Sequence, residues 1–344
     1  MPEYTLGLFA NMYPAFDGDY RGIFIEQMVR DLESRGIVVK KAVKTSSSIT
    51  GYIPFYYRSL LLSRDQKPDI MQAEYIPHSS IIPVLLRRRN VPLVLKFHGD
   101  DARIFPFKNP IFMALTRAMI RHSDYVISSS EEIRTTLISI GAHPEKSSAV
   151  HTGVDTGFFH PIAQKTLRQD LDLPEILITF VFIGRLHPWK GLDEIISVAE
   201  KCPQFRFIFI GPGIIPAHPP NCSFLGTKKP EEVRIWLNAS DCLLLPSYTE
   251  GFPTAIMEAF ACGKPVIATS VGGCPELVEP GKTGILIPVR NVMALHKAVL
   301  WMGAHPDEMR RMGKAARTVA QERFDHTKMV QKLMDVHESL IRKS

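Results

Sequence analysis

Five short apolar runs in the second half of the chain, ITFVFIG, FRFIFIG, SDCLLLP, KPVIATS and GILIPV, alternate with segments of helical period. Those segments are GLDEIISVAEK, PEEVRIWLNA, PTAIMEAFAC and the stretch from Val292 to Met302. Apolar runs this short, without polar alternation, read as strands buried on both faces, which parallel sheets wrapped by helices provide. The first half follows the same scheme. YTLGLF, IVVKKAV, PDIMQAE, VPLVLKF and DYVISSS read as strands, and IFIEQMVRDLESRG and the stretches around 78–89, 110–121 and 131–140 read as helices. Gly36 sits where a helix C-terminal glycine belongs. At 344 residues the chain is too long for one ordinary core. The pattern predicts an α/β protein of two doubly wound parallel-sheet domains, residues 1–158 and 159–322. The join falls in HTGVDTGFFHPIAQ, and an amphipathic helix over 323–344 is free to cross back to the first domain.

Two such domains set the carboxyl ends of their strands on a shared cleft, so the loops after strands are where ligands are sought. Composition narrows the classes. The chain is 45% apolar and 22% charged, as soluble globular proteins are. It has no apolar run near the ~18–20 residues a membrane span needs, and its start lacks the basic region of a signal peptide. Five cysteines with no C-x-x-C pair argue against a disulfide framework or zinc and fit reduced thiols in the cytoplasm. The net charge of +6 divides evenly between the halves, so no nucleic-acid-binding tail is expected. Within 77–122, however, Arg87, Arg88, Arg89, Lys96, Arg103, Lys108, Arg117 and Arg121 face only Asp100 and Asp101. The three arginines suit a helix end.

Four loops carry candidate chemistry. In FIGRLHPWKGLDEII a strand ends at Gly184, Arg185 and Lys190 follow, and a helix starts near Gly191. Two cations beside a helix start form an anion site, and a fork plus a point charge suits a diphosphate. In TEGFPTAIMEAF, Pro253 is placed as the first helical residue, and Gly251 permits close backbone approach. The N–H groups of Phe252 and Thr254 onward are then free for an anion, while Glu250 and Glu258 are acceptors suited to vicinal hydroxyls. Phosphate between two hydroxylated rings is the shape of a nucleotide sugar. In IFIGPGIIP the third glycine of a dinucleotide fingerprint is Pro216, which argues against NAD binding. In LVLKFHGDDARI, His98 follows a strand and is expected to turn its imidazole to the cleft. Asp17 and Asp19 form a D-x-D pair without further ligands, so no metal site is expected.

Taken together these residues resemble glycosyltransferase family 4, the retaining nucleotide-sugar transferases with two Rossmann-like domains (the GT-B fold). The Glu-x7-Glu motif matches Glu250 and Glu258, and the G-R…K-G loop matches Gly184, Arg185, Lys190 and Gly191. GGCPELVEPGKTGILIP matches the loop and strand beyond the motif, and His98-Gly99-Asp100-Asp101 matches the H-G-x-D segment. The resemblance implies roles. Arg185 and Lys190 hold the donor diphosphate, and Glu258 takes the ribose hydroxyls. Glu250 holds the transferred sugar with backbone from Gly251, Phe252, Pro253 and Thr254. His98 sits beside that sugar, and Gly226 lies near the base. It further implies a hexose-type donor, a glycan or lipid-linked acceptor, and no cofactor or required metal. The implied setting is the cytoplasm, with the inner face of the membrane open to it, where the basic region 77–122 is expected to meet anionic lipid or a lipid-diphosphate acceptor.

The first loop, AFDGDYRG, departs from the family's Gly-Gly pair, so Gly18 and Gly22 are only expected near the acceptor. A non-catalytic nucleotide-sugar-binding protein on the same fold is the alternative reading.

Overall fold

The computed structural model describes residues 4–16, 22–64, 67–86 and 90–343. Asp17, Gly18, Asp19 and Arg87–Arg89, for which the sequence raises expectations, lie outside them. The chain divides into two compact units. One is Met1–Thr152 together with Thr327–Ser344, and the other is Gly153–His326.

The first unit holds strands β1 (Thr5–Ala10), β2 (Val38–Val43), β3 (Ile70–Glu74), β4 (Leu93–Phe97), β5 (Tyr125–Ser128) and β6 (Ser147–Ala149). They form one sheet in the order β2-β1-β3-β4-β5-β6, every pair parallel. Strands β3 and β4 are buried along their whole length. One face packs Leu6, Leu8, Ile70, Val94 and Ile127 against Ile25, Met28 and Leu32 of the helix Ile23–Ser34. Val330, Leu333 and Met334 of the C-terminal helix His326–Ile341 complete that face. The other face collects Phe9, Met71, Ala73, Leu95 and Phe97. Side chains alternate along a strand, so two faces need two apolar sets, and both are present.

The second unit holds β7 (Thr179–Ile183), β8 (Arg206–Ile210), β9 (Cys222–Phe224), β10 (Cys242–Leu245), β11 (Val266–Thr269) and β12 (Gly284–Ile287). Their order is β12-β11-β10-β7-β8-β9, again all parallel. The chain winds outward from β7 to β9, then crosses to β10 on the other side of β7. Strand order therefore reverses between β7 and β10. In open α/β sheets ligands bind beyond the strand carboxyl ends at such a reversal.

Some elements were not legible. The helix Tyr52–Arg64 carries Pro54 as its third residue, inside the first turn, where a missing N–H costs no intrahelical bond. Its apolar side chains lie all round it, so no helical stripe announces it. Strands β6 and β9 have only three residues each. The helix Pro306–Arg323 is likewise not among the expected elements. Among the described residues no helix is long and apolar enough to cross a membrane.

Candidate active site

The loops after β7 and β10 meet in the second unit. Gly184 follows β7 with φ 155°, and the chain then makes a tight turn at Pro188–Lys190. Gly191 follows with φ 72° at the start of the helix Leu192–Lys201. A Cβ on Gly191 would lie 2.2 Å from the carbonyl oxygen of Pro246, just past β10. Only glycine tolerates both the positive φ and that approach. The Tyr248 N–H donates to Trp189 O at 2.8 Å, a second tie between the loops.

This contact brings together two residues sixty positions apart. Lys190 Nζ donates to Glu250 Oε1 at 2.7 Å, with the two side chains 30% and 8% exposed. The sequence pattern sets them at different parts of one ligand, whereas in the fold they form an ion pair. Arg185 lies on the same loop with its side chain exposed. Lys190 and Arg185 are thus the cations flanking the strand reversal, and Glu250 is the acid facing one of them.

The helix after β10 runs Thr254–Ala261, with Pro253 in the N-cap position at ψ 113°. Pro253 therefore precedes the helix rather than forming its first residue. Proline cannot cap through its side chain, and no side-chain cap bonds the helix start. The first N–H groups are left to an outside acceptor. Gly251 is steadied from behind, because its carbonyl accepts the Gly273 N–H at 2.8 Å. Phe252 is buried with its ring 5.8 Å from that of Phe324, while Thr254 is exposed. Glu258 lies one turn into the helix, beyond the reach of most of the dipole. Burial alone pushes its carboxyl up to about 7. Gly226, with φ 69°, accepts the Gly211 N–H at 2.9 Å, so the loops after β8 and β9 are joined. No helix follows Gly213 up to β9, in line with Pro216 breaking the dinucleotide fingerprint.

His98, Gly99, Asp100 and Asp101 belong to the first unit. The His98 imidazole does not stand free at its strand end: its side chain is 7% exposed. It lies 5.0 Å from the Phe24 ring and 4.4 Å from the Tyr75 ring, and Nε2 is 2.5 Å from Glu74 Oε2. The buried Asp101 carboxylate accepts the N–H groups of His98, Gly99 and Ile76 at 3.0, 2.9 and 3.2 Å. Gly22 takes φ 69° at the start of the helix Ile23–Ser34. A recess lined by Asn11, Met12, Tyr13, Lys44, Ser46 and Ser47 opens in the same unit.

The basic stretch is less uniform than its composition suggests. Lys96 is buried in β4, Arg103 pairs with Glu132 at 3.5 Å, and Arg117 donates to Ile140 O at 3.2 Å. Lys108 and Arg121 are exposed. Sequence reasoning missed Glu74, Tyr248 and Arg290. Arg290 stacks 4.7 Å over the Tyr248 ring, and Tyr248 donates its hydroxyl to Glu194. The one available signal was an acid ending the apolar strand IMQAE. Among the described residues no group of three or more His, Cys, Asp or Glu could hold a metal.

Glu258 yields a prediction with a definite sign. Its raised value means the folded protein keeps a proton that the unfolded chain releases at 4.5. This contribution to stability is full below about pH 4.5 and is lost as pH rises through about 7. Glu258→Gln removes it. Urea unfolding should show the variant gaining roughly 1–3 kcal/mol on the wild type between pH 5 and pH 8. A difference that does not change with pH contradicts the assignment.

Comparison with known proteins agrees with this geometry. The family described as "Glycosyl transferases group 1" matches residues 163–319, and "Glycosyltransferase Family 4" matches residues 19–158. The Bacillus subtilis glycosyltransferase TuaC, assigned to teichuronic acid biosynthesis, is 26% identical over 340 residues, 84% of this chain and 86% of that protein. The D-inositol 3-phosphate glycosyltransferase of Mycobacterium tuberculosis is 32% identical over 182 residues. That match spans 48% of this chain and only 38% of the relative. Among solved structures, sucrose-phosphate synthase from Thermosynechococcus elongatus superposes with a TM-score of 0.85 at 19% identity, covering 99% of this chain and 100% of the other. Anabaena HepE, solved with UDP-glucose, gives 0.76 at 20% identity, covering 98% and 100%. Two matched family regions, two doubly wound parallel sheets and a site at the strand reversal lead to one conclusion: the chain belongs to the GT-B glycosyltransferases of the family-4 type.

Proposed function

We propose that this glycosyltransferase takes a hexose-type sugar from a nucleotide-diphosphate sugar and transfers it, with retention of configuration, to a glycan or lipid-linked acceptor. The natural setting is cell-surface polysaccharide or glycoconjugate synthesis at the cytoplasmic face of the membrane. The observation that carries the reading is the pairing of Lys190 with Glu250 just ahead of an uncapped helix start, with Arg185 exposed on the Lys190 loop. The diphosphate takes Glu250's place as partner of Lys190, and Glu250 turns to the sugar hydroxyls. Arg185 forks onto the same diphosphate, and Glu258 accepts the ribose hydroxyls. The base lies by Gly226. UDP and UDP-glucose bound to HepE support a nucleotide donor of this kind.

The chemistry follows from charge. Cleavage of the sugar–phosphate bond leaves an oxocarbenium-like sugar and a nucleoside diphosphate of growing negative charge. Cations and N–H groups fixed at that charge stabilise the transition state more than the ground state. They can supply what a divalent metal would, so we propose metal-independent transfer. A diphosphate oxygen on the departing face takes the acceptor's proton, which delivers the acceptor to the same face. His98 keeps the role the resemblance gives it, beside the transferred sugar.

We also propose peripheral contact with anionic membrane through Arg87, Arg88 and Arg89, next to the exposed Leu85 and Leu86. Binding to anionic liposomes should fall on Arg87/Arg88/Arg89→Ala, and unchanged binding removes the idea.

The catalytic reading is tested with the donor that gives the largest thermal shift among UDP-, GDP- and ADP-sugars. Arg185→Ala and Lys190→Ala should each lower transfer or slow donor hydrolysis by about 100-fold or more. Wild-type rates in either variant contradict it. Tight donor binding with no nucleoside diphosphate released by the wild type would favour a binding protein instead.

A further inference from the structure

We propose that Glu74 is a positioning residue for His98, fixing which ring nitrogen of that imidazole carries the proton. Its catalytic consequence rests on the transferase reading, but its structural content rests on the first unit alone.

Glu74 ends β3 and its side chain is wholly buried. A carboxylate in a core is costly unless paired and hydrogen-bonded. Its cross-strand partner in register is Lys96 of β4, itself buried. Burial pushes the Glu74 carboxyl up, but Lys96, His98 and Gln72 together hold it below the usual range. The group is therefore an anion, and an anion only accepts hydrogen bonds.

That single fact sets the direction of every bond around it. Gln72 lies two residues back on the same face of β3, and its Nε2 donates to Glu74 Oε1. The Gln72 carbonyl oxygen must then face the other way, where His337 Nε2 lies 2.7 Å off. An oxygen there requires His337 to carry its proton on Nε2. Burial pushes His337 down to about 3, so it is neutral and its Nδ1 is bare. The Tyr4 hydroxyl accordingly donates to Nδ1 at 2.9 Å. On the other side, Glu74 Oε2 requires a proton on His98 Nε2.

The chain thus runs from the C-terminal helix through β3 to His98, and both arms end as donors on one carboxylate. It leaves Nδ1 as the His98 ring nitrogen open to a ligand. Phe24 and Tyr75 hold the ring, and Asp101 holds its backbone. A single fixed tautomer is what a histidine needs to present one defined acceptor.

The test uses the full chain labelled with ¹⁵N-histidine, with the His98 ring signals assigned by their loss in His98→Gln. At pH 8 the wild type should show Nε2 protonated and Nδ1 bare. Glu74→Gln offers either amide face to the ring, so the single tautomer should be lost. Turnover should fall at least about tenfold while the donor KM changes less than about threefold. Because Glu74→Gln strands Lys96, Glu74→Gln/Lys96→Met serves as a second variant without the buried cation and should show the same change at His98. Ring signals identical to wild type in both variants overturn the proposal, even if turnover falls. Should the wild type turn over no donor at all, the transferase reading fails by itself, and the nitrogen spectra still decide the role of Glu74.

Discussion

The reversal of strand order between β7 and β10 is the constraint on which the candidate site depends. It places the ends of two strands side by side and sends their chains to opposite sides of the sheet. Gly191 then lets the first loop lie against Pro246 of the second. Only this approach brings Lys190 to Glu250. Without it, the cations after β7 and the helix start after β10 would be two separate anion sites, each weak. Joined, they form one surface, the one proposed above to take a diphosphate and its two hydroxylated ends. The ion pair also sets a cation beside the largely buried Glu250, which offsets part of the cost of burying that charge.

The first unit solves a related problem in a different way. Its sheet buries Gln72, Glu74 and Lys96 on one face, among Met28, Val94 and the C-terminal helix. Such a network is tolerated only when its members are satisfied, and then it specifies one arrangement. Here the anionic end dictates the rest, and the last member on the C-terminal helix is a histidine kept neutral by burial. The helix therefore contributes more than the apolar contacts of Val330, Leu333 and Met334. Its His337 closes the chain of bonds that starts at the carboxylate, donating from Nε2 to the Gln72 amide oxygen.

Much of the fold was legible because parallel strands leave continuous apolar runs and their crossover helices leave a period. The helix Tyr52–Arg64 was not, since its early proline and its apolar residues on all sides give no stripe to read. At the site, Arg185, Lys190, Glu250 and Glu258 could be picked out by residue type and by place after strands. What the sequence hid was pairing. Lys190 meets Glu250 across sixty positions, and Glu74 meets His98 across twenty-four. Both meetings are set by which strands are neighbours, a property of sheet order rather than of any local stretch. Lys96 misled for the same reason: counted as surface charge, it is the buried register partner of Glu74.

In the proposed reading the donor diphosphate replaces Glu250 as the partner of Lys190. A crystal structure of the chain with the nucleotide sugar that most raises its melting temperature tests this directly. The diphosphate is expected within hydrogen-bond distance of Lys190 Nζ and the Arg185 guanidinium, at the start of the helix Thr254–Ala261, with Glu250 turned to the sugar. A nucleotide bound elsewhere, with the Lys190–Glu250 pair intact, would contradict it.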